Sequence, residues 1–255
     1  MTKNNQAADQ IDSLLSDIEG KHAKKASSLS FLEHLDELRS RVIKCLIVFF
    51  IAFLAIYPQT DKILNFIIKS VGKLFFTAPA DAFMARVHIT LVTALCATLP
   101  YILYHVWMFL SLGLTEKERK YVVAFVPFSF LFFIAGVLFA YYVAIPISMN
   151  FLLSFSSEVM QPMITVKNYI SYVGSLVLAF GVVFELPLIL MFLARIGIAT
   201  PAFLIQKRRH AIVLILIISA IITPPDVISQ IVMAAPLLVL YELGIIATRF
   251  ACRSQ

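Results

Sequence analysis

The chain has 255 residues, of which 60% are hydrophobic and only 14% are charged. Soluble globular domains carry about 25% charged residues, so this composition excludes a soluble globular domain and an intrinsically disordered chain. It indicates an integral membrane protein. The three cysteines lie in or beside apolar runs, and they form neither a disulfide framework nor a paired-cysteine metal motif: Cys45, Cys96 and Cys252.

The first 29 residues are polar, unlike the rest of the chain. They are too long for the charged lead of a cleavable signal peptide, and no small-residue cleavage site follows the first apolar run. We interpret residues 1–29 as a flexible cytoplasmic tail and residues 30–255 as a single membrane domain. A short docking helix remains the alternative for the tail, because four apolar residues recur there at helical spacing: Ile11, Leu14, Leu15 and Ile18.

Six charge-poor runs follow the tail. A bilayer core about 30 Å thick is crossed by about 20 apolar residues in helical form. Only Lys44 and Glu185 interrupt the runs, which cover residues 42–57, 87–114, 121–157, 168–194, 211–222 and 227–241. The fifth run forms only about 18 Å of helix at ~1.5 Å per residue. We therefore predict an all-α integral membrane protein with six transmembrane helices, the last two of them short.

The basic residues indicate the orientation of these helices. Most of the 21 Lys and Arg residues fall in segments on the same side of the membrane as the N-terminus. Because basic residues are enriched on the cytoplasmic side, we predict that both termini are cytoplasmic. The net charge of +6 is then a signal of topology and not of nucleic acid binding. On the opposite side, residues 60–76 are typical of a helix in the membrane interface or of a loop packed on its own domain.

Catalytic motifs are missing from the sequence. It contains no His-Glu-x-x-His, no Gly-x-Ser-x-Gly and no phosphate-binding loop, and its five histidines are scattered. We therefore predict a protein that is not an enzyme, with no catalytic residues, no metal and no cofactor.

Two groups of acids stand on the basic cytoplasmic side. Glu33, Asp36 and Glu37 precede the first apolar run, where Glu37 either serves recognition or simply pairs with Arg41 four residues later. Glu118 either closes a capping box that begins at residue 115, or accepts a guanidinium group through both of its carboxylate oxygens.

Two further features lie in or near the later spans. A carboxylate within a span costs about 2.5–3.5 kcal/mol on insertion scales, so Glu185 marks either a functional site or an internal polar clasp, with Gln230 as a candidate partner. Pro224 and Pro225 form a rigid outer turn, and Asp226 is placed to cap the last helix.

Four segments together resemble the TatC family, the multi-spanning subunit of the twin-arginine protein translocase. They are Glu37-Leu38-Arg39 and residues 107–120, 180–187 and 223–230. Each motif alone is weak, but all four occur in the family's order, and the resemblance covers about residues 31–250. Two departures concern loop geometry: Leu112 stands where the family usually has Pro, and His88 stands where a basic residue is common.

The resemblance implies a concave, glove-like helix bundle in the bacterial inner membrane. It implies a receptor that recognises signal peptides with paired arginines at the cytoplasmic face and takes part in the export of folded proteins, driven by the proton-motive force. Glu37, Arg39, Phe109 and Glu118 are the expected signal-peptide site. Glu185 and Gln230 are expected to contact the single-span subunits TatA and TatB, in an oligomer of receptor complexes within the lipid bilayer.

Two other functions remain as alternatives. A proton-coupled secondary transporter would use Glu185 as its intramembrane proton site, but it should also show a clear internal repeat and more intramembrane polar residues. A purely structural membrane scaffold would tolerate neutral substitutions in all four motifs.

Overall fold

A computed structural model describes residues 35–68, 74–111, 116–156, 163–222 and 227–253, without the side chains of residues 116–124, 228–229 and 250–253. These ranges contain ten α-helices, which confirms the predicted all-α architecture. Five helical segments are long and apolar enough to cross a bilayer. The chain divides into two compact units, Met1–Leu46 and Ile47–Gln255. The predicted tail, residues 1–29, lies outside the described residues.

Helix α1 covers residues 35–56. In the first unit its apolar residues Leu35, Leu38 and Val42 are exposed, as a surface that meets the membrane requires. In the second unit Phe50 and Leu54 are also exposed, and large apolar side chains on the outside of a spanning helix are those that face lipid.

Helix α2 (Thr60–Ile68) follows α1 through the 3₁₀ turn Tyr57–Gln59. It packs on its own domain, because the hydroxyls of Thr60 and Thr90 lie 2.7 Å apart and Ile63 and Ile67 pack against the main core. An ion pair of 2.8 Å between Asp61 and Arg86 adds a polar contact. Residues 60–68 are therefore helical, as an interfacial helix would be, and they also pack on their own domain, as the loop alternative predicts.

Helix α3 (Pro79–Leu110) has 32 residues, or about 48 Å. Its start is capped by the buried Asp81, whose Oδ2 accepts hydrogen bonds from the amides of Thr77 and Ala78 and from the hydroxyl of Thr77. Pro100 lies inside the helix without ending it. The cap satisfies backbone donors that the helix itself leaves unpaired.

The third span is longer and more continuous than its prolines predict. Helix α4 (Glu116–Phe139) contains Pro127, and a π-helical turn at Ala140–Ala144 connects it to helix α5 (Ile145–Leu153). Pro146 lies in the first turn of α5, directly after the π-helical turn, so its missing amide falls where the hydrogen-bond pattern changes from π-helical to α-helical.

The fourth span consists of helices α6 (Val166–Val183) and α7 (Leu186–Arg195). Two residues between them, Phe184 and Glu185, separate the helices. Pro187 causes this break, because it lacks the amide that would bond the carbonyl of Val183.

The last spans follow the short helix α8 (Pro201–Gln206). Helix α9 (Arg208–Ile222) has 15 residues, or about 22 Å, and it is not among the five segments long enough to cross. Helix α10 (Val227–Arg253) has 27 residues, so the prediction of two short final helices is correct only for the first of them. The six-span count and the glove-like shape stay predictions.

The sequence predicts that the last helix ends at residue 241, before the charge of Glu242, but α10 continues to Arg253. That carboxylate is paired at 2.6 Å with Arg208 at the start of α9. The hydroxyl of the neighbouring Tyr241 donates to the carbonyl of Leu204 at 2.8 Å. A paired charge near the membrane edge does not end a helix.

The main core lies among α3, α5, α6 and α10 and includes Ile89, Leu176, Phe180, Met233 and Ile245. Helices α4 and α6 approach closely where two glycines face each other. A Cβ on Gly136 would lie 2.5 Å from the carbonyl oxygen of Phe180, and one on Gly181 would lie 2.3 Å from the ring of Phe133. Only glycine allows this backbone approach.

A short backbone bridge joins the segments that precede α3 and α6. The amide of Phe75 donates to the carbonyl of Ile164 at 3.0 Å, and the amide of Val166 donates to the carbonyl of Phe75 at 2.8 Å. Thr165 also caps α6 through its hydroxyl. The bridge ties the beginning of the second span to the beginning of the fourth.

Candidate functional site

Glu185 lies at the break between α6 and α7, with only 4% of its surface exposed. Its backbone continues the helical path, since its amide donates to Val182 and its carbonyl accepts from Ile189. The carboxylate therefore lies inside the fourth transmembrane segment, Val166–Arg195, beside the break at Pro187. A buried carboxylate requires polar partners to offset its loss of hydration.

The side chain of Glu185 ends a chain of hydrogen bonds across three helical segments. The indole nitrogen of Trp107 on α3 donates to the hydroxyl of Ser129 on α4 at 2.8 Å. That hydroxyl donates in turn to Oε2 of Glu185. The other oxygen, Oε1, is buried and has no hydrogen-bond partner among the described residues. Among the described residues, one oxygen of the carboxyl group is therefore hydrogen-bonded and the other is buried without a partner.

An aromatic cluster fixes the first member of this chain. Trp107 stacks on Phe125 with ring centroids 5.4 Å apart, and it meets Phe192 edge to face at 5.1 Å. These three rings and Leu188 form a second buried cluster. Stacked and edge-to-face pairs restrict the orientation of the indole ring.

The structure does not pair Glu185 with Gln230, although the sequence makes them candidate partners. The amide nitrogen of Gln230 instead donates to the carbonyl of Leu216 on α9 at 3.0 Å, so it links the two last helices. Only the candidate pairing with Gln230 is absent, because Glu185 makes its polar contact between helices with Ser129 instead. The turn that precedes α10 lies outside the described residues, with Pro224, Pro225 and Asp226.

In the first unit, Glu37 is paired with Arg41. Both the Nε and a terminal nitrogen of Arg41 donate to Oε1 of Glu37, at 3.1 and 2.5 Å, and 37% of the Glu37 side chain is exposed. Arg39 is exposed and lines a surface depression with Asp36, Ser40 and Lys44. Two residues correspond to about 200° around a helix, so Arg39 and Glu37 lie on different faces of α1.

The remaining expected peptide-binding residues lie in the second unit. Phe109 is half-buried, next to the C-terminal end of α3. Glu118 is the third residue of α4, and its side chain lies outside the described ones. In the parts of the chain that the structure describes, no three metal-binding side chains lie close enough to hold a metal ion.

Comparisons with known proteins identify the family. The model of the family described as Sec-independent protein translocase protein (TatC) matches residues 33–236. The chain belongs to the TatC family. Since this is a family of translocase components, membership agrees with the missing catalytic motifs, and the five long apolar helices make the chain a multi-pass membrane protein.

Several TatC relatives match most of the chain. The Sec-independent protein translocase protein TatC of Carboxydothermus hydrogenoformans is 37% identical over 87% of this chain and 93% of its own length. TatCy of Bacillus subtilis is 38% identical over 90% and 92%. A crystal structure of a twin-arginine translocase receptor, TatC, superposes with a TM-score of 0.78 at 34% identity, over 86% of this chain and 99% of that one.

Sequence reasoning misses Ser129. The residue lies in a run without charge, two positions after Pro127, and nothing in the local pattern relates it to Glu185. Trp107 belongs to one of the TatC-like motifs, but the motif alone gives it no role. A hydroxyl close to a proline inside an apolar span is the only local signal that marks Ser129.

Proposed function

We propose that this TatC-family chain is the receptor subunit of a twin-arginine translocase. It recognises signal peptides that carry paired arginines at the cytoplasmic face, and it takes part in proton-motive-force-driven export of folded proteins across the bacterial inner membrane. The observation that carries this proposal is the likeness to the solved twin-arginine translocase receptor over 86% of the chain.

The charge distribution supports a cationic ligand. A basic cytoplasmic surface repels a peptide with two arginines, so carboxylates must offset that repulsion where the peptide binds. We expect Glu118 and Glu37 to do so, because a carboxylate accepts a guanidinium group through two parallel hydrogen bonds. Phe109 and the neighbouring apolar surface receive the hydrophobic part of the peptide. Arg39, on another face of α1 from Glu37, contributes to the site through a separate contact.

The ion pair with Arg41 limits how strongly Glu37 can bind an arginine of the peptide. Two nitrogens of Arg41, Nε and one terminal nitrogen, bond to Oε1, and we expect Oε2 to accept a guanidinium of the peptide. The peptide therefore competes with, or shares the carboxylate with, an internal arginine. This competition makes Glu37 the weaker of the two acidic contacts.

The remaining assignments complete the proposal. Both termini are cytoplasmic, residues 1–29 form a tail outside the membrane domain of residues 30–255, and the outer turn at Pro224, Pro225 and Asp226 is structural. Glu185 and Gln230 contact polar groups of the single-span subunits TatA and TatB, within an oligomer of receptor complexes. The unpartnered Oε1 of Glu185 supports a contact of this kind.

Peptide binding to purified variants tests the recognition site. A twin-arginine peptide is titrated against the wild type, Glu118→Gln and Glu37→Gln, with a twin-lysine peptide as the ligand control. Glu118→Gln is expected to weaken binding of the arginine peptide about tenfold, which is ~1.4 kcal/mol. Glu37→Gln is expected to weaken it by less, because Arg41 already shares that carboxylate. The lysine peptide is expected to bind weakly to all three proteins, because lysine lacks the planar fork of guanidinium donors.

Glu116→Gln serves as the matched control, because it removes a carboxylate two residues from Glu118 and has no part in the proposal. It is expected to bind the peptide like the wild type. If both Glu118→Gln and Glu37→Gln are folded and bind with unchanged affinity, these acids are helix caps and ion-pair partners, and the proposed site is wrong.

A further inference from the structure

The hydroxyl of Ser129 bonds differently from most described hydroxyls in the transmembrane helices. Serine and threonine in an apolar helix usually donate to a carbonyl of the preceding turn. Six described hydroxyls do so: Thr90, Thr98, Ser111, Ser175, Ser219 and Thr248. Ser129, which is fully buried, instead donates across the helix interface to Glu185. Its local environment therefore overrides the usual bond to its own helix.

The direction of the chain follows from the chemistry of the indole. A tryptophan N–H can only donate, so the Ser129 oxygen accepts at that contact and keeps its own proton for another acceptor. The carboxylate of Glu185 is the acceptor that it reaches. Because Phe125 and Phe192 hold the indole on two sides, Trp107 cannot easily turn away. The bonds run in one direction, from Trp107 through Ser129 to Glu185.

We propose that Ser129 and Trp107 are positioning residues for Glu185. They hold Oε2, so that the buried Oε1 is the atom left to bond the polar group of a membrane-embedded partner when the helices that cover it part. The proposal rests on the partner contact proposed above for Glu185, and it adds which atom makes that contact and what orients it. Trp107 also lies two residues before Phe109, so the same end of α3 serves both proposed sites.

The single tryptophan of the chain makes the hydrogen bonds directly measurable. The ultraviolet resonance Raman band that reports hydrogen bonding of the indole N–H arises from Trp107 alone. In purified Ser129→Ala this band is expected to shift to the position of an unbonded indole. In Glu185→Gln it is expected to shift in the same direction by less, because bonds in a chain polarise one another.

Ser219→Ala is the matched control, because it removes a fully buried hydroxyl that donates to its own helix. It is expected to leave the Trp107 band unchanged. If the band does not shift in folded Ser129→Ala, the proposed bond is wrong. If it does not shift in Glu185→Gln, the coupling between Trp107 and Glu185 through the hydrogen bonds is wrong.

Export in cells tests the consequence for function. Glu185→Gln is expected to lower export of a twin-arginine cargo, and Ser129→Ala and Trp107→Phe are expected to lower it several-fold. Trp107→Phe keeps an aromatic ring beside Phe125 and removes the N–H, so it serves if Ser129→Ala folds poorly. The double variant Ser129→Ala/Glu185→Gln is expected to export no less than Glu185→Gln alone, because both changes act through one group.

The outcomes separate the two proposals. If Glu185→Gln lowers export while Ser129→Ala and Trp107→Phe export at the wild-type rate, the positioning role is wrong and the contact at Glu185 stands. If Glu185→Gln exports normally, the partner contact is wrong, and the positioning role for it is wrong as well. Binding of the signal peptide to each variant, measured separately, is expected to match the wild type.

Discussion

A single carboxylate on α1 has two cationic partners in the proposed mechanism. Glu37 already bonds to Arg41 within the helix, and 37% of its side chain is exposed. Ion pairs four residues apart on a helix contribute about 0.3–0.5 kcal/mol, and Glu37 is the more exposed member of this one, so we expect an incoming guanidinium to replace Arg41 at little cost. The internal pair holds the carboxylate in place between binding events and weakens the attraction of the peptide.

Arg41→Gln is therefore expected to strengthen binding of a twin-arginine peptide about twofold, the factor that corresponds to ~0.4 kcal/mol. Peptide titration at constant ionic strength measures the change. Lys44→Gln controls for the loss of one positive charge from the same helix. The gain should vanish when Arg41→Gln is combined with Glu37→Gln. If Arg41→Gln weakens binding, Arg41 does not compete for Glu37.

The sequence identifies the unusual residues but not their partners. The cost of a carboxylate within a span is enough to single out Glu185 from the sequence alone, and the fold buries this residue in the interior. Its bond to Ser129 depends on how α4 packs against the junction of α6 and α7, which no local pattern encodes. The ion pair of Glu37 and Arg41 is predictable because residues four apart on one helix are neighbours.

At the level of helices, the contact between α4 and α6 depends on glycine. The carbonyl oxygen of Phe180 and the Cα of Gly181 lie 2.5 and 3.0 Å from the position of a Cβ on Gly136. These are backbone atoms, which cannot move without shifting a helix. The ring of Phe133 restricts Gly181 in the same way, although a side chain yields more easily than a backbone.

Gly136→Ala is expected to lower the free energy of unfolding by about 1–3 kcal/mol, the usual cost of an overfilled core. Gly181→Ala should have a smaller effect. Thermal unfolding in detergent measures both. Gly197→Asn is the control, since Gly197 has a φ of 76° and nothing within 4 Å, and asparagine tolerates that conformation. Wild-type stability of Gly136→Ala would contradict the close approach of the two helices.

The sequence pattern predicts where the spans lie more accurately than it predicts the residues at which their helices begin and end. The predicted runs end at charged residues or are broken by prolines. Pro127 lies inside α4, and Pro146 follows a π-helical turn without interrupting the helix. Glu242 lies inside α10 and pairs with Arg208 of α9. Pairing and local helix geometry override these signals, and both depend on neighbours distant in the sequence. Pro187 is the exception, because it does separate two helices.

At the level of the whole molecule, the number of membrane crossings depends on whether α9 crosses the bilayer. Its 15 residues reach about 22 Å, less than the bilayer core of about 30 Å, so it crosses only if the membrane thins or basic residues at its start extend to the interface. Six crossings place both termini on one side, whereas five place them on opposite sides. The accessibility of the two ends therefore tests the predicted count.

Single cysteines at the two ends, Thr2→Cys and Ser254→Cys, can be introduced separately after replacing the three native cysteines with alanine. A maleimide that does not cross membranes is expected to label both in inside-out vesicles and neither in intact spheroplasts. Detergent-solubilised protein gives the total labelling of each variant. Labelling of the C-terminal cysteine only from the outer side would show that α9 does not cross.

The backbone bridge between Phe75 and the segment before α6 also constrains the order of assembly. Its two hydrogen bonds join parts of the chain that are separated in sequence by α3, α4 and α5. The bridge therefore closes only after the ribosome has delivered the whole intervening hairpin and that hairpin has crossed the bilayer and returned. Until then α2 and the start of α3 lack this connection, so the bridge can close only once the first three spans are complete and the fourth begins.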